Sequence, residues 1–194
     1  MPAITHRIVT LPTPKIALPS QRPTQSTLGG VVIRPGPLPP HMTTISGAWS
    51  ETRLEAFLEE ARVPIRIATH RKDGSLWMVA LWYRYRNGAF ECATGANAHI
   101  VRFLEGDPQV AFDVSTNDPP YRGVRGNGTA TLAADEEKTT LRALIERYLG
   151  DTDSPLAKSL LSDDREEVRI RIDPNEMHSW DYSERMQGNG NSEP

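Results

Sequence analysis

Ile65-Arg66-Ile67-Ala68-Thr69-His70-Arg71-Lys72-Asp73-Gly74-Ser75-Leu76-Trp77-Met78-Val79-Ala80-Leu81-Trp82-Tyr83-Arg84-Tyr85-Arg86-Asn87-Gly88-Ala89-Phe90-Glu91-Cys92-Ala93-Thr94 is an alternating run broken at two places. The breaks are Asp73-Gly74 and Asn87-Gly88, dipeptides that supply the positive φ of a tight hairpin. Three antiparallel strands in succession are therefore predicted. In the first, Ile65, Ile67 and Thr69 alternate with Arg66, Ala68 and His70. The second is expected to run long, with Trp77, Val79, Leu81, Tyr83 and Tyr85 on one face and Met78, Ala80 and Trp82 on the other. Its middle then reads as buried on both sides. Phe90, Cys92 and Thr94 carry the third.

Before these strands, Ser50 is a good N-cap, Glu51 suits the positive first turn, and Leu54, Phe57, Leu58 and Ala61 form one apolar stripe that Pro64 closes. After them, Asn97 is expected to cap a short helix carrying Ile100, Val101, Phe103 and Leu104. Val110, Phe112 and Val114 predict a strand, and Tyr121 to Ala133 a long one whose glycines signal a bulge or a close approach. Helix is predicted over Asp135 to Leu149 and from Ser154-Pro155. Val168, Ile170 and Ile172 make a strand, and Met177 to Tyr182 the last. Hairpin-linked strands with helices outside predict an α+β domain built on a small six- to seven-stranded antiparallel barrel.

The 194 residues, 38% hydrophobic and 24% charged, fit one domain with tails. No apolar run approaches the ~20 residues of a membrane span. A net charge of −3 argues against a dedicated nucleic-acid binder. With Cys92 alone, neither an internal disulfide nor a cysteine-clamped zinc site can form. Residues 1–50 hold Arg7, Lys15, Arg22 and Arg34 and no acid, and nine of the 16 prolines precede Met42. Residues 1–41 thus read as a disordered, basic, proline-rich tail, 42–186 as the domain, and 187–194 as a flexible end. The first tail is open to three readings: a functional arm, a targeting peptide, or sequence upstream of a natural start at Met42. No secretory h-region is visible, so a cytoplasmic protein is expected.

Several residues have two readings on their own chemistry. Thr94-Gly95-Ala96-Asn97 leads from strand to helix, either as an ordinary junction or as an anion site of free N–H groups. Arg122 and Arg125, three apart, point to opposite faces of an ideal strand unless a bulge at Gly123 brings them together. Arg66 reaches a ligand or faces water; Trp82 and Trp180 stack on a planar ring or fill the core; His99 donates to a phosphate, ligates haem, or lies on the surface. Cys92 is most simply a small buried hydrophobe. No general-base pair, triad or metal cluster stands out, which suits chemistry carried by a cofactor.

From Ser50 to Tyr182 the chain resembles the flavin-binding split barrels of the pyridoxamine 5′-phosphate oxidase-like superfamily. The carriers are Ala68-Thr69 ahead of Asp73-Gly74, Val79-Ala80-Leu81-Trp82-Tyr83, Phe90 to Thr94, Arg102-Phe103-Leu104 with Asp107-Pro108, Tyr121-Arg122-Gly123-Val124-Arg125-Gly126, and Ser179-Trp180-Asp181. The resemblance implies a homodimer with FMN between its subunits, or a deazaflavin coenzyme or haem in some branches. It places the ring along Met78, Val79, Ala80, Leu81 and Trp82 and near Arg66, Ile67, Ala68 and Thr69. It places the phosphate at Thr94, Gly95, His99 and Arg102, with Tyr121, Arg122, Arg125 and Trp180 meeting the substrate or the cofactor tail. One departure stands out: Ile100 occupies the position of the family's phosphate-binding lysine. The implied function is hydride transfer between a nicotinamide or reduced deazaflavin and a small organic acceptor. A non-catalytic binding protein for flavin, deazaflavin or haem is the alternative, and a cofactor-free structural dimer a third. The C-terminal substrate-binding pattern of pyridoxamine 5′-phosphate oxidase itself is not found.

Overall fold

The computed structural model describes residues 43–187, so the predicted tail 1–41, Met42 and residues 188–194 lie outside the described residues. The elements are β1 (Thr44–Gly47), α1 (Glu51–Glu60), β2 (Ile65–His70), β3 (Leu76–Leu81), β4 (Tyr83–Arg86), β5 (Ala89–Gly95), α2 (His99–Gly106), β6 (Gln109–Ser115), β7 (Arg122–Ala134), α3 (Thr139–Leu149), α4 (Pro155–Leu160), β8 (Glu167–Asp181) and α5 (Ser183–Gln187). One sheet runs β3-β2-β6-β7-β8-β5-β4, antiparallel throughout, and β1 adds to β8 in parallel. Its two edge strands, β3 and β4, are joined through Trp82 alone. The sheet is a barrel split along that seam. Among the described residues no helix is long and apolar enough to cross a membrane.

The predicted Trp77 to Tyr85 strand is therefore two strands. Its middle is not covered on both sides: Met78 is 63% exposed and Leu76 71%, while Val79 and Leu81 pack against the core. β3 is an edge, and only its inner face has sheet and helices to bury it. Inside, Ile65, Ile67, Tyr83, Phe90, Cys92, Phe112, Val114, Ile170, Ile172 and Met177 fill the barrel. α1 adds Leu54, Phe57 and Leu58, and α2 adds Ile100, Val101 and Leu104. A second cluster joins Leu141, Ile145 and Ala157 to Trp82 and Ala93.

The helix ends follow from local chemistry. Ser50 Oγ accepts from Arg53 N at 3.3 Å, as its cap position predicts. The far end of α1 is closed by Arg147, which donates to the carbonyls of Glu59 (2.6 Å), Leu58 (3.2 Å) and Ala61 (2.7 Å), while Tyr83 Oη donates to Leu58 O. α2 differs from expectation: its N-cap is Ala98 with no side-chain cap, and Asn97 is exposed. α3 begins at Thr139, not Asp135. The Asp135 carboxylate stands before it and accepts from Thr140 N and Leu141 N.

β8 corrects two readings. The predicted strands Val168–Ile172 and Met177–Tyr182 are one strand running through Pro174. Gly128 pairs with Pro174 and Asn127 with Glu176, so Asn175 is an extra residue without a partner. The bulge resets the alternation: even-numbered Ile170 and Ile172 face in before it, odd-numbered Met177 and Ser179 after it. This is the irregularity that the long glycine-rich strand signalled, but it does not sit at Gly123. Arg122 and Arg125 therefore keep opposite faces, Arg122 opposite Asp181 and Arg125 opposite His178.

Candidate functional site

Strand alternation turns one row of each of β2, β3, β6, β7 and β8 outward, and these rows line a cleft of about 780 Å³ that Thr44 and Ser46 of β1 complete. The floor is apolar. Ala68 is registered with Met78 on β3 and with Ala111 on β6, so three adjacent strands present one apolar surface. An apolar floor with a few polar groups around it suits a planar ring.

The rim is polar. Arg66 Nη1 donates to Asp113 Oδ1 (3.1 Å) and Ser115 Oγ (3.1 Å), and Nη2 donates to Asn117 Oδ1 (2.7 Å). Asp113 Oδ1 also accepts from Ser115 Oγ at 2.5 Å. That guanidinium is committed. Arg125, registered between Asp113 of β6 and His178 of β8, forms no ion pair with a described residue. Asn127 Nδ2 donates to Glu176 Oε1. His178 Nδ1 stands 3.1 Å from Ser46 Oγ.

A second, smaller cleft of about 540 Å³ opens where the β2–β3 turn meets α2. Arg71, Lys72, His99 and Arg102 line it with Asp73, Phe103 and Glu105, and Arg102 Nη2 donates to His99 Nδ1 at 2.8 Å.

Of the residues singled out in the sequence, Arg66, Ala68, Met78 and Arg125 meet in the large cleft, and His99 and Arg102 in the small one. Ala80 continues the outward row of β3. Ile67 and Thr69 face the interior instead, and the Thr69 hydroxyl has no partner there. Val79 and Leu81 share that inner side. Trp82 lies flat on Tyr148, centroids 5.2 Å apart and planes 9° apart, so one of its faces is already covered. Thr94 and Gly95 end β5 opposite Val168 and Glu167.

Ile100 is 1% exposed and belongs to the core. Arg122 is half-buried with its Nε unpartnered. Its strand partner Asp181 would be raised by burial, but Ser183 and the Trp49 indole N–H donate to it and hold it below the usual carboxylate range. Trp180 packs on Tyr182, and Tyr121 is exposed.

Sequence reasoning missed Thr44, Ser46, Ala111, Asp113, Asn127, Glu176 and His178. Outward polar residues on alternating strands read as a solvated face, and only the sheet order assembles them.

The family model described as pyridoxamine 5′-phosphate oxidase matches residues 50–181. No curated protein matches the chain. Among solved structures, a conserved hypothetical protein from Mycobacterium tuberculosis superposes with a TM-score of 0.60 at 25% identity, covering 77% of this chain and 94% of that one. A protein named F420 reductase superposes with a TM-score of 0.55 at 24% identity, covering 63% of this chain and 94% of its own. The matched span runs from the N-cap of α1 to the last residue of β8 and takes in every strand except β1. The chain belongs to the pyridoxamine 5′-phosphate oxidase family, and its sheet is that family's split barrel.

Proposed function

We propose that the protein is a cytoplasmic, homodimeric oxidoreductase that uses FMN or a deazaflavin coenzyme to move a hydride between a nicotinamide or reduced deazaflavin and a small organic acceptor. The observation that carries this reading is the floor of Ala68, Met78 and Ala111, apolar beneath a polar rim. A bound flavin-type ring would supply the two-electron chemistry, and the protein would hold and orient it. Leu76, exposed on the same edge strand as Met78 of the floor, extends an apolar surface for the second subunit.

The phosphate side fits differently from the family pattern. Ile100 is buried, so no lysine can act from that position. Arg71, Lys72 and Arg102 place three cations in the small cleft beside the start of α2, and we assign the phosphate to them. The buried Ile100 is also what favours the second reading, a binding protein that keeps the barrel without turnover.

The visible spectrum of the purified protein, followed by FMN and riboflavin titrations, tests the proposal. Ala68→Trp should abolish binding of both ligands without lowering the unfolding temperature, since Ala68 faces the cleft. Arg102→Ala should weaken FMN by roughly tenfold or more, one charge-assisted contact, and riboflavin hardly at all. Equal effects of Arg102→Ala on the two ligands refute the phosphate assignment. Sedimentation at micromolar concentration checks the dimer.

A further inference from the structure

We propose that Ser46 and His178 form a proton-transfer pair that serves the cleft, a role that rests on the redox reading above. β1 is only four residues long, and it pairs in parallel with Glu176 to Ser179 of β8, on the edge that β5 leaves free. Its register sets Ser46 beside His178, and the two side chains meet at Ser46 Oγ and His178 Nδ1, 3.1 Å apart. Both line the cleft. Nδ1 is thus engaged, and Nε2 is the ring nitrogen left to act.

Hydride addition needs a proton as well. A hydride arriving at one end of a C=C, C=N or C=O bond drives the electron pair of that bond onto the other atom, which must then be protonated. The hydride comes from a nicotinamide or a reduced flavin-type coenzyme. The Nε2–H bond of the imidazolium breaks, its electron pair stays on the ring, and the proton goes to the acceptor. The ring leaves as neutral imidazole, with Nδ1–H still donating to Ser46 Oγ, and water restores the lost proton. The serine hydroxyl rotates freely, so this contact survives both protonation states.

The other charged groups of the cleft are poor candidates for the task. Arg66 on β2 is tied to Asp113 on β6, Arg125 on β7 is a guanidinium that does not release its proton, and Glu176 on β8 is bonded to Asn127. Imidazole is the side chain whose ordinary titration lies near neutral pH. Among the described residues, His178 is the only imidazole lining this cleft.

Two measurements test the pair. In the ligand-free protein, long-range proton–nitrogen NMR should show that Ser46→Ala shifts the His178 ring-nitrogen resonances while unfolding is unchanged. Unmoved resonances overturn the pair. With FMN bound, NADH as donor and menadione as acceptor, His178→Gln should lower kcat by roughly a hundredfold, the usual scale of general-acid catalysis, with KM changed far less. The pH dependence of kcat assigned to His178 should vanish with it, and added imidazole should restore turnover to His178→Gly. Binding of FMN with undiminished turnover in His178→Gln overturns the relay and leaves the redox reading standing. Failure to bind either FMN or a deazaflavin overturns both.

Discussion

Replacing Ile100 by lysine would restore the family's side chain at that position, and the structure predicts that it damages the fold instead of improving the site. Ile100 is 1% exposed in the first turn of α2 and packs in the barrel core beside Val101 and Leu104. Losing a buried isoleucine costs about 2 kcal/mol of apolar burial. An ammonium forced into the same space has its pKa lowered by ~2–3 units, which at 1.36 kcal/mol per unit adds about 3–4 kcal/mol at neutral pH. The sum, roughly 5 kcal/mol, is a large part of a typical domain's stability and corresponds to a fall of about 10–20 °C in Tm.

The pH sign is distinctive. Between the lowered folded pKa and the unfolded value near ~10.4, the unfolded chain holds a proton that the folded chain has lost. Raising the pH through that window therefore stabilises Ile100→Lys relative to wild type at the same pH. Urea unfolding of both proteins from pH 7 to 10 reads this directly, with FMN titrations run in parallel. A variant that unfolds with wild-type stability and binds FMN more tightly would refute the placement of Ile100 in the core.

Arg147→Met keeps the stem and removes the guanidinium. Leu58 retains the Tyr83 hydroxyl and Glu59 retains Arg62, but Ala61 O is left without its side-chain donor. A loss of about 2–3 kcal/mol by urea unfolding is expected, the scale of one charged hydrogen bond. Gly47 has φ +106 at the end of β1, and an added Cβ would overlap the backbone of Ser179. Gly47→Ala should therefore cost about 1–3 kcal/mol by the same measurement and remove the NMR signature of Ser46 on His178. Tyr85 is pushed up to about 12 from 10.0, chiefly by burial and then by Glu55, Glu51 and Glu59, and burial raises Tyr83 and Tyr148 as well. Folded values above unfolded ones mean stability intact below pH 10 and lost as pH rises through about 12. Phenolate absorbance from these three tyrosines should rise together with unfolding in that window, and ionisation of all five tyrosines near pH 10 in a still-folded protein would contradict it.

Much of the fold was legible because its signals are local. Ser50 caps, Asp73-Gly74 and Asn87-Gly88 turn, and the alternations of β2, β5 and β6 each state their own face. What escaped is non-local. β1 is four residues with no apolar rhythm, and its strand exists only because β8 is there to pair with it. The split at Trp82 depends on which strands find partners, since the Trp77 to Tyr85 pattern itself is unbroken. Pro174 reads as a strand break, yet it sits at a bulge, where the missing N–H is tolerated. The Arg66 and Arg125 arm of the cleft was visible as isolated arginines. Asp113, Glu176 and His178 were not, because nothing in the chain indicates that β6, β7 and β8 lie side by side.

The unpaired Asn175 makes this stretch of the chain tolerant of deletion as well as of replacement. As an exposed residue with no cross-strand partner it can be exchanged for other polar side chains at little cost. Removing it leaves Pro174 and Glu176 consecutive opposite Gly128 and Asn127, a regular ladder in which every later pair and both faces are kept, and takes away only the local bend and added twist. Met177 and Ser179 would still face the barrel, and Glu176 and His178 would stay on the outer side. Among related chains, the interval between Ile172 and Met177 should therefore keep its present length or lose one residue, while an added residue, which must widen the bulge or flip the faces, should be rare. Comparing the length of this interval, more than the letters within it, should separate chains that keep this cleft from those that have rebuilt it.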